Sequence, residues 1–300
     1  MSLIKRIKQL FSPPDPTGNL GISLQQQAIS YCMVNDEQQV LCDSTQVIDN
    51  QYHQAFKQLH QNGDIQGQCH VVLSSKQNQI VQIDKPQVPE NEINAAVKWQ
   101  VKELVTISPE NMIVDYFDGP KLVGGMEKIN VVCANKNDLA SWVKSLSKNK
   151  ITIGTITVEE FAFASLCPIT DEAHLIICQQ PQEDMLILII KQGLLYFQRR
   201  LRGMEKIAEK SEDELNMGII DSLSLEVQRS TDYFERQLKQ APIRNIDVLV
   251  PMKNEAYLAR RLAENTHVPV NMFTMPEGYE DQREYAASIG ATMLPRTGGE

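Results

Sequence analysis

The stretch from Ala173 to Gly203, AHLIICQQPQEDMLILIIKQGLLYFQRRLRG, leaves the chain few choices of fold. Leu175 to Cys178 is an apolar run, Gln179 to Asp184 is polar around Pro181, and Met185 to Ile190 is apolar without a break. Lys191-Gln192-Gly193 then turns the chain into Leu194 to Phe197, so the stretch reads as three short strands joined by two tight turns. A half-solvated hairpin alternates apolar and polar residues; an unbroken run such as Met185 to Ile190 demands cover on both faces, as in the sheet of an α/β domain.

An earlier segment has the same grammar. Leu20 to Leu24, Ala28 to Val34 and Gln38 to Cys42 read as strands, with Gln25-Gln26-Gln27 and Asn35-Asp36-Glu37 at the turns. Two such meanders about 150 residues apart, each followed by helix and strand, predict a duplicated α/β fold with a cleft between the halves. A chain of 300 residues that is 42% hydrophobic can fill one large core or two moderate ones.

After Pro86 and Pro89 the pattern changes. NEINAAVKWQVKELV places Ile93, Ala96, Val97, Val101 and Leu104 at helical spacing. Strands at Ile113 to Phe117 and Lys128 to Ala134 and a helix at Lys136 to Ser147 complete an expected helix-strand-strand-helix insert. The expected division is an amphipathic segment over 1–16, a first-half core over 17–85 and 151–170, the insert over 86–150, a second-half core over 171–294, and a tail over 295–300. In the second half, a long helix is expected over Ser222 to Leu238 and a final one over Gln282 to Ala291.

Composition excludes several functions. A net charge of -9 and a pI near 5.2 do not suit a general nucleic-acid binder, which needs clustered Lys and Arg to neutralise phosphates. The six cysteines, Cys32, Cys42, Cys69, Cys133, Cys167 and Cys178, show no metal-ligand spacing and read as reduced core residues of a cytoplasmic protein. The histidines His53, His60, His70, His174 and His267 have no HxxxH spacing, so no metal is expected. No apolar run reaches the ~20 residues that span a bilayer, and no secretory signal is visible. Ser2 to Phe11, SLIKRIKQLF, sets Leu3, Ile4, Ile7, Leu10 and Phe11 on one helical face and Lys5, Arg6 and Lys8 toward the other. That pattern fits attachment to an anionic membrane surface or a partner helix, and equally a terminal helix packed on its own domain. Glu159-Glu160 and Glu212-Asp213-Glu214 read as solvated helix starts, where the helix dipole favours acids. Arg199, Arg200 and Arg202 fit a site for phosphate or a partner carboxylate, or a strand end with its arginines on alternate faces, the favoured reading.

Four segments carry a family resemblance: AAVKWQVKELVTISPENMIVDY, INVVCANKNDLASWVKSLSKNKITIGTITVEEFAFASL, LLYFQRRLRG and LSLEVQRSTDYFERQL. In this order, over about Gly18 to Leu294, the chain resembles the PilM family of type IV pilus assembly proteins. The resemblance implies an actin-like fold related to the cell-division protein FtsA, with an inserted α/β subdomain. Only Met204 to Leu223 is available for the subdomain that precedes the Ser222 helix in fuller members, so a reduced second-half subdomain is expected. It also implies a partner, the short cytoplasmic tail of a bitopic inner-membrane pilus protein, a link to the pilus assembly platform or its ATPase, and a location peripheral to the inner membrane.

The chain departs from the family pattern where ATP would sit. The Gly-Ile-Asp-Ile-Gly of active relatives becomes Gly21-Ile22-Ser23-Leu24-Gln25, with Ser23 and Gln25 at the Asp and second Gly positions. In the second meander Asp-x-Gly becomes Cys178-Gln179-Gln180, and the adenosine-side Gly-Gly becomes Pro251-Met252. Glycine lets a backbone approach phosphate and a carboxylate organises Mg²⁺; the residues present do neither. The expectation is therefore an adaptor with no catalytic residue and no cofactor. The alternatives are an ATP-binding actin-like ATPase or polymer subunit and, less favoured, a sugar-kinase-type enzyme.

Overall fold

The computed structural model describes residues 19–34, 39–62, 65, 67–119 and 127–294. The segments expected as an amphipathic start and as a tail lie outside this set, as do Leu3, Ile4, Lys5, Ile7, Lys8 and Phe11. Contacts divide the described chain into two units, the first running up to Gly119 and then over 127–159 and 287–294, the second over 160–286.

In the first unit, β1 (Asn19–Leu24), β2 (Ala28–Val34) and β3 (Val40–Gln46) form an antiparallel meander. Helix α1 (Tyr52–Asn62) then carries the chain to β4 (Gly67–Leu73), parallel to β1. The meander needs only short turns because its strands are antiparallel, whereas a parallel neighbour requires a crossover. β5 (Asn78–Asp84), α2 (Ile93–Gln100), β6 (Met112–Asp118) and β7 (Lys128–Asn135) follow, then α3 (Lys136–Lys148) and β8 (Ile151–Val158), parallel to β4. The large sheet has the order β3-β2-β1-β4-β8. Its core combines Ile22, Leu24, Ile29 and Val71 with Phe56 and Leu59 of α1 and Leu139, Trp142 and Leu146 of α3.

The second unit repeats the plan. α4 (Glu159–Leu166) leads to the meander β9 (His174–Gln179), β10 (Met185–Lys191) and β11 (Leu194–Leu201). α5 (Ile220–Asp232), β12 (Asn245–Leu249), α6 (Glu255–Glu264) and β13 (Val270–Met272) give a sheet in the order β11-β10-β9-β12-β13. In each sheet three antiparallel strands continue into two parallel ones. Met185 to Ile190 is buried throughout. Met185, Ile187 and Ile189 join the cluster around Leu223, Val227 and Phe234, while Leu186, Leu188 and Ile190 point to the opposite face, so the run is covered on both sides as its sequence demands. The β10–β11 turn uses Gln192 and Gly193 at φ 53° and 73°, the left-handed pair that matches the twist of a two-residue hairpin.

Several boundaries differ from those expected. β5, assigned above to the first-half core, pairs antiparallel with β7 in a separate sheet of order β5-β7-β6; its alternating sequence says that it is a strand but not which strand it joins. The expected closing helix of the insert, α3, buries Leu139, Trp142 and Leu146 in the first core instead. Its amino end is capped by the Asn135 side chain, which accepts from the N–H groups of Asn137 and Asp138. The insert is therefore 78–135. Its regular helix ends at Gln100, because Val101, Val105 and Ile107 turn onto the small sheet. Residues 160–170, expected in the first half, belong to the second unit. The long helix starts at Ile220 and loosens into a π-helical turn over Tyr233–Gln237.

The final helix, α7 (Ala286–Thr292), was expected in the second-half core, yet from Ala287 it belongs to the first unit. Gly21 of β1 decides this. A Cβ at Gly21 would lie 1.9 Å from the Ser288 carbonyl oxygen, so the helix backbone lies directly on the strand. The Ser30 and Ser288 hydroxyls, 2.9 Å apart, tie β2 to the same helix.

Candidate functional site

Both sheets place their first hairpin turn at the carboxyl end of the parallel strands, where ligands of α/β proteins gather. In the first unit that turn carries Ser23 and Gln25. Ser23 is buried on β1 opposite Ser30. The backbone N–H of Gln25 donates to the Ala28 carbonyl at 2.9 Å, closing the turn on itself. The Gln25 side chain turns inward and donates from Nε2 to Ser30 Oγ at 3.3 Å. Around it Tyr52 donates from its hydroxyl to the Gln25 carbonyl at 2.7 Å, and Gln77 Nε2 donates to Tyr52 at 2.8 Å. Ser74 donates to Gln77 Oε1, and Glu159 accepts from the Ser75 N–H at 2.7 Å.

Glu159 and Glu160, expected to be solvated, are fully buried. Helix α4 starts inside the fold rather than at its surface, so each carboxylate is held by a partner: Glu159 by the Ser75 amide, Glu160 by Arg200 at 2.7 Å. Arg199 and Arg200 do point to opposite faces, with Arg199 pairing Glu226 at 2.7 Å. The Glu226 carboxyl sits below its ordinary range: burial acts to raise it, but hydrogen bonds and charge from Arg199 and Arg229 outweigh that. The Ser211 capping box makes Glu212-Asp213-Glu214 a helix start, with Glu212 and Asp213 exposed and Glu214 half-buried.

In the second unit Cys178 lies opposite Leu249 in register, so Gln180 and the Pro251-Met252 pair lie at the same sheet end. Gln179 spans the turn, donating from Nε2 to the carbonyls of Glu183 and Met204, each at 2.9 Å. The turn is not the solvated loop that its polarity suggests: Gln180, Glu183 and Asp184 are all buried. Past Pro251-Met252, Glu255 accepts the Val250 N–H at 2.7 Å. Arg283 clamps the two Glu255 oxygens at 2.8 and 2.6 Å and donates to the carbonyls of Phe273 and Val248 at 2.7 and 3.1 Å.

Tyr52, Ser74, Gln77, Glu255 and Arg283 gave no signal in the sequence, because folding and not a shared spacing brings them to these turns, and Glu183 and Asp184 were legible only as part of a polar turn. Among the described residues no group of three or more His, Cys, Asp or Glu side chains could hold a metal. The carboxyl of Asp247 is raised, chiefly by burial, but it sits mid-strand on β12 rather than at a turn. The first turn fits a phosphate poorly, because the Gln25 side chain stands where a cradle needs open backbone and the Gln25 N–H already donates to Ala28.

The architecture has solved counterparts. The chain is similar to the structure of a PilM-PilN type IV pilus biogenesis complex, at 15% identity and a TM-score of 0.69, covering 93% of this chain and 98% of that one. The fold is actin-like. A protein with actin-like ATPase fold from Bacteroides thetaiotaomicron matches at 11% identity and a TM-score of 0.54, over 90% of this chain and 95% of the other. The cytoplasmic domain of EpsL, an inner-membrane component of the type II secretion system of Vibrio cholerae, matches at 12% identity and a TM-score of 0.51, over 83% and 94%. No family model and no curated protein matches the sequence. No helix among the described residues is long and apolar enough to cross a membrane.

Proposed function

We propose that this chain is a cytoplasmic adaptor of type IV pilus assembly, peripheral to the inner membrane, that binds the cytoplasmic tail of an inner-membrane pilus protein and turns over no ATP. At the finest level the reading is the role of MshI in the mannose-sensitive haemagglutinin (MSHA) pilus. The observation that carries it is the likeness to the pilus-complex structure over 93% of this chain and 98% of that one. The four sequence segments quoted above support it independently.

The tail is assigned to the junction of the insert with the first core, both parts of one unit. An extended peptide there would gain affinity from backbone hydrogen bonds and specificity from apolar contacts. The insert offers an anchor in Trp99, which is 67% exposed on α2 with the Lys102 ammonium 5.7 Å from its ring. Exposed aromatics of this size are the side chains that most often dominate an interface. The test is co-purification with the cytoplasmic tails of individual inner-membrane pilus proteins. Trp99→Ala is expected to weaken capture of the cognate tail about tenfold or more, with an unchanged melting temperature because the ring packs little in the free protein. Full-strength capture by that variant would remove the insert from the reading. Deleting Glu90 to Lys150 is not a clean test, since it removes α3 and its core residues.

The second reading is a nucleotide-binding actin-like protein, favoured only by the fold, and fold does not confer activity. Ser23, Gln25, Cys178, Gln180, Pro251 and Met252 speak against it. Losing one charge-assisted contact costs ~1.5–3 kcal/mol, so the loss of two moves affinity by orders of magnitude. Calorimetric titration with millimolar Mg-ATP is expected to give no saturable heat; micromolar binding would establish the second reading.

A further inference from the structure

Strands β2 and β3 set two cysteines against each other. Cys32 is the register partner of Cys42 in this antiparallel pair. Directly opposed residues hold their Cα atoms about 4.5–5.5 Å apart, inside the ~4.4–6.8 Å that a disulfide bridges. Register partners also project from the same face of the sheet. The neighbouring Cys42 side chain first, then burial, holds the Cys32 thiol well above its ordinary range. Cys32 is fully buried, whereas Cys42, on the edge strand of the sheet, is half-buried.

None of the other strand cysteines is so placed. Cys69 lies opposite Leu20 and Ile153, Cys133 opposite Gln79 and Val114, and Cys178 opposite Leu186 and Leu249. Cys167, just beyond α4, is buried and pushed up to about 12 by that burial and by the charge of Asp247.

We propose that Cys32 and Cys42 form a dithiol site that exchanges with small-molecule disulfides and closes a reversible cross-strand bond. The Cys42 thiolate attacks one sulfur of a disulfide RSSR, forming Cys42–S–S–R and expelling RS⁻. Cys32 then gives up its proton and attacks the Cys42 sulfur, expelling the second RS⁻. The protein pair is oxidised by two electrons, RSSR is reduced to two RSH, and the two thiol protons leave with them. The raised Cys32 thiol makes the second step the slow one, so the mixed disulfide on Cys42 forms first. The bond would extend the row Gly21, Cys32, Cys42 across β1, β2 and β3, next to the seat of α7.

The test uses the full chain incubated with oxidised glutathione, then alkylated under denaturing conditions. Alkylatable thiols are expected to fall from the six of the sequence to four, with a peptide linking Cys32 to Cys42 and full reversal by dithiothreitol. Cys32→Ser should stop at a glutathione adduct on Cys42, and Cys42→Ser should keep Cys32 unmodified. Cys42 is on an edge strand and half-buried, so Cys42→Ser retains the fold; if Cys32→Ser does not fold, the wild-type and Cys42→Ser arms decide the matter. Survival of all six thiols, a Cys42 adduct that never resolves, or a bridge between other cysteines overturns the proposal.

Discussion

Replacing Gly21 by valine is expected to detach α7 from the first sheet and cost about 3 kcal/mol or more. Adding methyl groups to a packed core ordinarily costs ~1–3 kcal/mol, because flexible neighbours move aside. Here the obstacle is backbone: the added Cβ would sit 1.9 Å from the Ser288 carbonyl oxygen and 2.9 Å from the Ala291 Cβ. The helix must lift, and the Ser30–Ser288 contact and the Gln25–Ser30 bond beside it lose their geometry. Urea unfolding should show a lower midpoint, and hydrogen exchange should localise the loss to Ala286–Thr292. An unchanged midpoint with full protection of that helix would show that the helix seats elsewhere in solution. The effect would extend to the first hairpin turn, since Gln25 is held through Ser30.

The second large effect is expected at Arg283. Its guanidinium holds both oxygens of Glu255, which is 4% exposed, and also satisfies the carbonyls of Val248 and Phe273. Removing one partner of a buried pair leaves an uncompensated charge, at a cost of ~3–5 kcal/mol. Arg283→Met should therefore destabilise the second unit far more than a surface arginine substitution such as Arg236→Met, whose pair with Asp232 is open to water. Pairing Arg283→Met with Glu255→Gln completes a double-mutant cycle, because glutamine keeps an acceptor for the Val250 N–H without the charge. The double variant should recover part of the loss. If the single variant costs no more than Arg236→Met, the clamp contributes nothing beyond its surface counterpart.

The two sites were legible to different degrees. Ser23, Gln25, Cys178 and Gln180 were singled out by the family resemblance, and each lies on or just after a strand that announces itself by pattern. What surrounds them could not. Tyr52 reaches the first turn from a helix 27 residues away, and Arg283 reaches Glu255 across 28 residues. Such pairs leave no periodic trace in a single chain. Glu159 and Glu160 were misjudged for a related reason: acids at a helix start ordinarily face water, and only packing could place this helix start inside, where the Ser75 amide and Arg200 stand in for solvent.

Local chemistry settled which segments are strands, where most of them turn, and that the plan is repeated. Met185 to Ile190 can be stable only with both faces covered, and Gln192-Gly193 suits a left-handed two-residue turn, whatever the rest of the chain does. Partnership was another matter. β5 alternates as any half-buried strand does, yet it joins β7 rather than the first large sheet. α3 follows the insert in sequence and packs in the core, and α7 ends the second half in sequence and lies on β1 of the first. Period and turn chemistry act over a few residues and are written locally. The choice among alternative neighbours is made by packing, when a bare Gly21 accepts a helix backbone that no other residue would admit.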